Sequence, residues 1–119
     1  MKWNSNKILG CLTGAAVGDA MGAATELRTK EMIKEKFGGK VTTILNPPDD
    51  TFARGARAGT VTDDFSLLYY TAKAILDHNG IIEEKAAEEA LLNWSEDKRF
   101  YDQYAGPTTK AAVERIKGR

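Results

Sequence analysis

The chain has 119 residues, enough for one domain with a modest core, and 42% hydrophobic residues is ordinary for a globular protein. Seventeen Lys and Arg balance seventeen Asp and Glu, so overall charge gives no argument for nucleic acid as a partner. One cysteine excludes an intrachain disulfide, and one cysteine with one histidine argues against zinc.

The first predicted element is a helix over residues 6–23, with Ile8, Leu12, Ala15, Ala16, Asp19 and Ala23 on one stripe. Its many Gly and Ala residues suit a helix that other backbones approach closely. Cys11 reads as a small buried hydrophobe. Asp19 shares the stripe and requires a partner if buried, either as a tie for a neighbouring loop or as a functional carboxylate. Lys2 and Lys7 before the apolar run Ile8–Val17 resemble a short signal peptide, but Gly10, Gly14 and Asp19 interrupt that pattern. A mature cytoplasmic segment is the preferred reading, and no stretch is long enough to span a membrane.

Glu26 follows the helix. A short second helix is then marked by Thr29 at its start and Gly38-Gly39 at its end, with Met32, Ile33 and Phe37 facing inward. Residues 40–61 read as a long irregular connection, with a brief extended piece at Val41–Leu45 and a break at Asn46-Pro47-Pro48-Asp49-Asp50. Such loops often carry function, and Arg54 and Arg57 within it are either solvated or phosphate-facing.

Gly59-Thr60-Val61-Thr62-Asp63-Asp64-Phe65-Ser66 is the most informative stretch. A hydroxyl and two carboxylates stand on consecutive residues where a helix over 64–77 begins. Carboxylates there complement the helix dipole or cap free N–H groups. Adjacent like charges also repel unless a cation lies between them, and hard oxygen donors suit Mg²⁺ or Mn²⁺. The helix closes at His78-Asn79-Gly80, where His78 complements the dipole.

Another helix is predicted over 83–94, with Ala87, Ala90, Leu91 and Trp94 on one face and a Glu-rich solvated face opposite. Tyr101 and Tyr104 either pack or stack on a base. Pro107 fits the first position of a last helix burying Ala112, Val113 and Ile116, and the Gly-Pro-Thr-Thr turn before it either caps that helix or faces a phosphate. The coarse prediction is all-α, with about five helices and one long loop.

Three pieces in order carry a family resemblance. Gly10–Gly22 with Glu26 resembles the opening helix of the ADP-ribosylglycohydrolases. Gly59–Asp64 resembles their metal motif, and Ala105-Gly106-Pro107-Thr108-Thr109 resembles a later turn beside the substrate. The family includes the dinitrogenase reductase-activating glycohydrolase, the ADP-ribosyl-acceptor hydrolases and the J-type crystallins. The resemblance implies an all-α helical bundle with two Mg²⁺ ions (Mn²⁺ an alternative), of which residues 1–119 form the N-terminal part of a single domain. It implies Thr62, Asp63 and Asp64 as metal ligands and Glu26 as the residue that positions or deprotonates the attacking water or contacts the ribose. It also implies Asp102 as a second acid/base, at a spacing that differs from many members, and Asp19, Gly106 and Thr108 on the substrate side. Phe65 stands where many relatives carry Thr, and Ser66 is the candidate to supply that hydroxyl. The implied reaction is hydrolysis of the bond between ADP-ribose and an acceptor, a protein side chain or a small molecule, with neither nucleic acid nor membrane as partner. The remaining metal ligands of the family come from an Asp-rich motif far downstream, and no second such motif stands in these residues. The missing part, or self-association, would complete the assembly. A non-catalytic, crystallin-like module on the same scaffold is the alternative.

Overall fold

A computed structural model describes residues 3–119 as six helices, with no strand among them. Of the two lysines weighed as the start of a signal peptide, Lys2 lies outside the described residues. No helix among those residues is long and apolar enough to cross a membrane. The fold is all-α, and the chain divides into two compact units, Met1–Thr62 and Asp63–Arg119.

In the first unit, α1 spans Ser5–Gly22 and α2 spans Lys30–Phe37. Asn4 caps α1, its side chain accepting from the Lys7 N–H at 3.1 Å. The Thr29 hydroxyl accepts from the Met32 N–H at 3.2 Å, and Gly38 ends α2 at φ +80°, a left-handed cap that glycine adopts without a Cβ penalty. Both ends of α2 therefore follow the sequence signals. Of its three expected inward residues, Ile33 and Phe37 are half-buried, while Met32 is exposed because it turns to the solvated side.

Among the described residues α1 and α2 make no direct helix–helix contact. The loop from Gly38 to Thr62 holds the unit together through successive turns. Thr51 donates its N–H and its hydroxyl to the Pro48 carbonyl at 3.1 and 2.9 Å, and the Asn46 side chain accepts from the Ala58 N–H at 2.8 Å. Arg28 reaches across to Asp50 at 2.5 Å and lies over the Phe37 ring. The extended piece expected at Val41–Leu45 forms no strand, because it pairs with no second segment.

Two features expected of α1 are not met among the described residues. A Cβ added at Gly10, Gly14, Gly18 or Gly22 would meet no atom within 4 Å, so these glycines face open space rather than a neighbouring backbone. Cys11 is exposed, and Ala20 alone of α1 is fully buried, because this helix is covered only on its Leu12, Ala15, Ala16 and Asp19 side.

In the second unit α3 (Asp63–Asp77) packs on α4 (Glu84–Glu96), and α5 (Lys98–Tyr104) and α6 (Pro107–Lys117) pack on α4 in turn. The core is small-residue and tight. Ala74, Ala86 and Ala90 are buried together, with Tyr70 against them and with Trp94 and Val113 fully enclosed. The 86–90–94 spacing is one helical face, so α4 turns Ala86 inward where Ala87 was expected. The additional helix α5 forms because the Asp97 carboxylate caps it, accepting from the Arg99 N–H at 3.3 Å. Tyr101 on α5 packs edge-on against Trp94 at 5.5 Å between ring centres, which makes it a packing residue.

Candidate active site

Asp19 stands in the last turn of α1, a poor place for an isolated carboxylate, because it faces the negative end of the helix dipole. Thr62 offsets this. Its backbone N–H donates to Asp19 Oδ2 at 2.7 Å and its hydroxyl donates to Asp19 Oδ1 at 2.6 Å. Thr62 is 3% exposed, so both donors are out of water and depend on this carboxylate. Asp19 thus ties the far end of the long loop to α1, one of the two roles foreseen for it. The two residues are 43 positions apart, and no local pattern joins them.

The bond also fixes the chemistry of the Thr62 oxygen. With its proton committed to Asp19, the hydroxyl has only acceptor capacity left. The next two residues, Asp63 and Asp64, form the first turn of α3, where the helix dipole favours their charge. Asp63 is half-buried and Asp64 exposed. Thr62, Asp63 and Asp64 together offer hard oxygen donors of the kind a magnesium or manganese ion takes. The chemistry of that donor set is compatible with such an ion. Among the described residues no three His, Cys, Asp or Glu side chains gather as a metal-holding group.

Ser66 does not serve as the replacement hydroxyl expected beside Phe65. It is buried, accepts from the Trp94 indole N–H at 2.9 Å and donates to the Asp63 carbonyl at 3.4 Å. Its place one turn into α3 aims it at α4, so its role is to hold Trp94.

Glu26 is exposed, in the turn that follows α1, with its backbone N–H bonded to the Gly22 carbonyl at 2.9 Å. Leu27 beside it takes φ +59°, an unusual value for a branched residue. In the second unit Asp102 is exposed on α5. Gly106 and Thr108 are exposed at the start of α6, where Gly106 takes the N-cap position without a side-chain cap and Pro107 begins the helix. Of the expected site residues, the structure joins Asp19 to Thr62 directly and sets Thr62, Asp63 and Asp64 in sequence at one helix entrance.

Two features of the second unit escaped the sequence reading. His78 places Nδ1 2.9 Å from Glu83 and Nε2 2.8 Å from Glu89, which raises the affinity of its ring for a proton, Glu89 foremost. Asp97 accepts from Arg99 and from the Tyr70 hydroxyl, and the Arg99 hydrogen bonds lower its pKa to about 2. His78 and Glu83 stand at a visible sequence separation, whereas the Tyr70–Asp97 pair depends on how α3 and α4 pack.

Among curated proteins, the chain is 32% identical over 114 residues to an uncharacterized protein of Escherichia coli strain K12, YegU. That alignment covers 95% of this chain and 34% of the relative, so the chain spans about a third of the relative's length. No solved structure gives a significant match. The sequence profile of the ADP-ribosylglycohydrolases matches residues 3–119, and on that match the chain belongs to the ADP-ribosylglycohydrolase family.

Proposed function

We propose that this chain carries part of a magnesium-dependent hydrolase that cleaves the glycosidic bond between ADP-ribose and an acceptor, a protein side chain or a small molecule. The observation that carries the reading is the Asp19–Thr62 pair, which converts a buried hydroxyl into an acceptor-only oxygen immediately before two carboxylates. Thr62, Asp63 and Asp64 are the proposed magnesium ligands, with manganese as a substitute. When bound, the metal supplies positive charge that orients ribose hydroxyls and a water. Glu26 is the proposed residue that takes the proton of the attacking water or holds the ribose, and Asp102 is the proposed second acid/base. In the reaction, water adds to the anomeric carbon, the C–N or C–O bond breaks, and the acceptor leaves with a proton. A carboxylate placed to steer that water is what an oxocarbenium-like transition state requires. Asp19 contributes through Thr62, and Gly106 and Thr108 are the proposed substrate contacts at the start of α6.

The test is calorimetric titration of the full chain with Mg²⁺ and Mn²⁺, beside Asp63→Ala/Asp64→Ala and Thr62→Val. Saturable binding that the double variant loses and Thr62→Val weakens supports the assignment, and an assay of ADP-ribose release follows on the same preparations. Binding that survives in the double variant removes these residues as ligands. Absence of binding in the wild type means that the chain holds no metal site of its own.

A further inference from the structure

The zero net charge of the chain conceals an uneven distribution. The unit Met1–Thr62 carries nine Lys and Arg against six Asp and Glu. Part of that excess converges on one cavity of about 560 Å³, within the size range of small-molecule sites. Lys30, Lys34 and Lys40 line it, with Ile33, Val41 and Thr25 between them.

The arrangement follows from α2 and its ending. Lys30 and Lys34 are one turn apart on the same helix face, a like-charge pair that is unfavourable by itself. The left-handed cap at Gly38, followed by Gly39 at φ +157°, turns the chain back so that Lys40 and Val41 come to the same cavity. No carboxylate among the described residues pairs with any of the three ammonium groups. Two neighbouring cations do have a carboxylate partner: Arg28 and Lys36 share Asp50, at 2.5 and 3.4 Å. Glu35 lines a different hollow with Arg28, Met32 and Lys36. Three lysines without a carboxylate partner among the described residues, set around Ile33 and Val41, form a cationic rim on a part-apolar cavity.

We infer that this cavity binds a small organic phosphate, with the phosphoryl oxygens between Lys30, Lys34 and Lys40 and an apolar or planar body against Ile33 and Val41. Lysine acts as a point charge for phosphate and needs no bidentate geometry, so flexible side chains suffice. The inference stands apart from the magnesium reading, because none of these six residues is among the proposed metal ligands or acid/base groups.

The experiment is a ¹⁵N NMR titration of the full chain with phenyl phosphate, inorganic phosphate and benzyl alcohol, without divalent metal. The expected result is saturable shifts confined to the amides of Thr25, Ile33, Gly39 and Val41. Phenyl phosphate should bind about tenfold more tightly than inorganic phosphate, because the ring buries apolar surface, and benzyl alcohol should bind least. Lys30→Gln/Lys34→Gln should weaken phenyl phosphate by at least about tenfold, in the range of two lost charge-assisted contacts. Lys40→Glu should abolish it, and Lys7→Gln/Lys110→Gln should leave it unchanged. Thermal melts of each variant separate loss of binding from loss of fold. Absence of saturable binding in the wild type overturns the inference. So does equal weakening by the Lys7 and Lys110 control, which would mean diffuse charge attraction, or equal affinity for benzyl alcohol, which would mean an apolar groove without a phosphate site.

Discussion

Both oxygens of the Asp19 carboxylate are engaged by Thr62, one by its N–H at 2.7 Å and one by its hydroxyl at 2.6 Å. The pair closes the Met1–Thr62 unit from α1 to the last residue of the long loop. Asp19→Ala leaves two buried donors without an acceptor and is expected to destabilise the unit by about 2–4 kcal/mol. Thr62→Val removes only the hydroxyl and is expected to cost about 1–2 kcal/mol. Because both changes act on one interaction, the double variant should cost less than the two single losses added together. Urea denaturation of the four proteins measures this coupling, and strict additivity would show that the two residues do not depend on each other.

How far such features were legible depends on whether their cause is local. Thr29, Gly38 and Pro107 mark helix ends by chemistry contained within a few residues, and the structure places those ends accordingly. Asp19 was readable as a carboxylate needing a partner, but its partner lies 43 positions away, at the far end of the long loop beyond α2. The α5 helix was missed because its start depends on Asp97, whose carboxylate also serves Tyr70 and Arg99. The glycines of α1 are a different case. Small residues report that a close approach is permitted, and within these residues no backbone makes that approach.

Ser66 and Trp94 give a second test. The indole N–H donates to the Ser66 hydroxyl at 2.9 Å in a fully buried setting, with Trp94 only 1% exposed. Ser66→Ala strands that N–H and is expected to cost about 1–3 kcal/mol. Trp94→Ala also removes the ring that α5 packs on through Tyr101, and is expected to cost about 3–5 kcal/mol. Thermal melts followed by circular dichroism rank the two variants. A Ser66→Ala protein as stable as the wild type would mean that the indole finds another acceptor.

Asp97 sets an acid limit for the second unit. Arg99 Nε and Nη2 donate to it at 2.9 and 2.7 Å and the Tyr70 hydroxyl at 2.9 Å, and together they hold its pKa at about 2 in place of the usual 3.8. A carboxyl whose folded value is depressed contributes stability that is present above its unfolded value and is lost as pH falls through the folded one. The loss therefore falls between about pH 4 and about pH 2. Arg99 is 80% exposed, so salt should shrink the effect. Asp97→Asn keeps a capping oxygen but removes the charge, and its stability should change less than the wild type's across that window. Unfolding midpoints measured on both sides of the window decide the matter, and identical acid profiles for the two proteins would contradict the assignment.

His78 acts in the opposite direction of pH. Each ring nitrogen lies within hydrogen-bond distance of a carboxylate, Glu83 at 2.9 Å and Glu89 at 2.8 Å, and both can donate only in the imidazolium form. The neutral ring would turn one lone pair toward a carboxylate, so the proton is held more tightly than in a free histidine, mainly through Glu89 and then Glu83. A histidine whose folded pKa is raised contributes stability that is fully present below its ordinary value of 6.5 and is lost as pH rises through the folded value. The chain has one histidine, so its ring resonances in an NMR titration belong to His78 without ambiguity. The midpoint is expected above 6.5, to fall toward it in Glu89→Gln, and to fall less in Glu83→Gln. His78→Gln should remove the pH dependence of stability in that range while keeping a side chain that can bridge. A wild-type midpoint at or below 6.5 would mean that the two carboxylates do not hold the ring in solution, and the junction of α3 with α4 would then depend on the buried alanines Ala74, Ala86 and Ala90 instead.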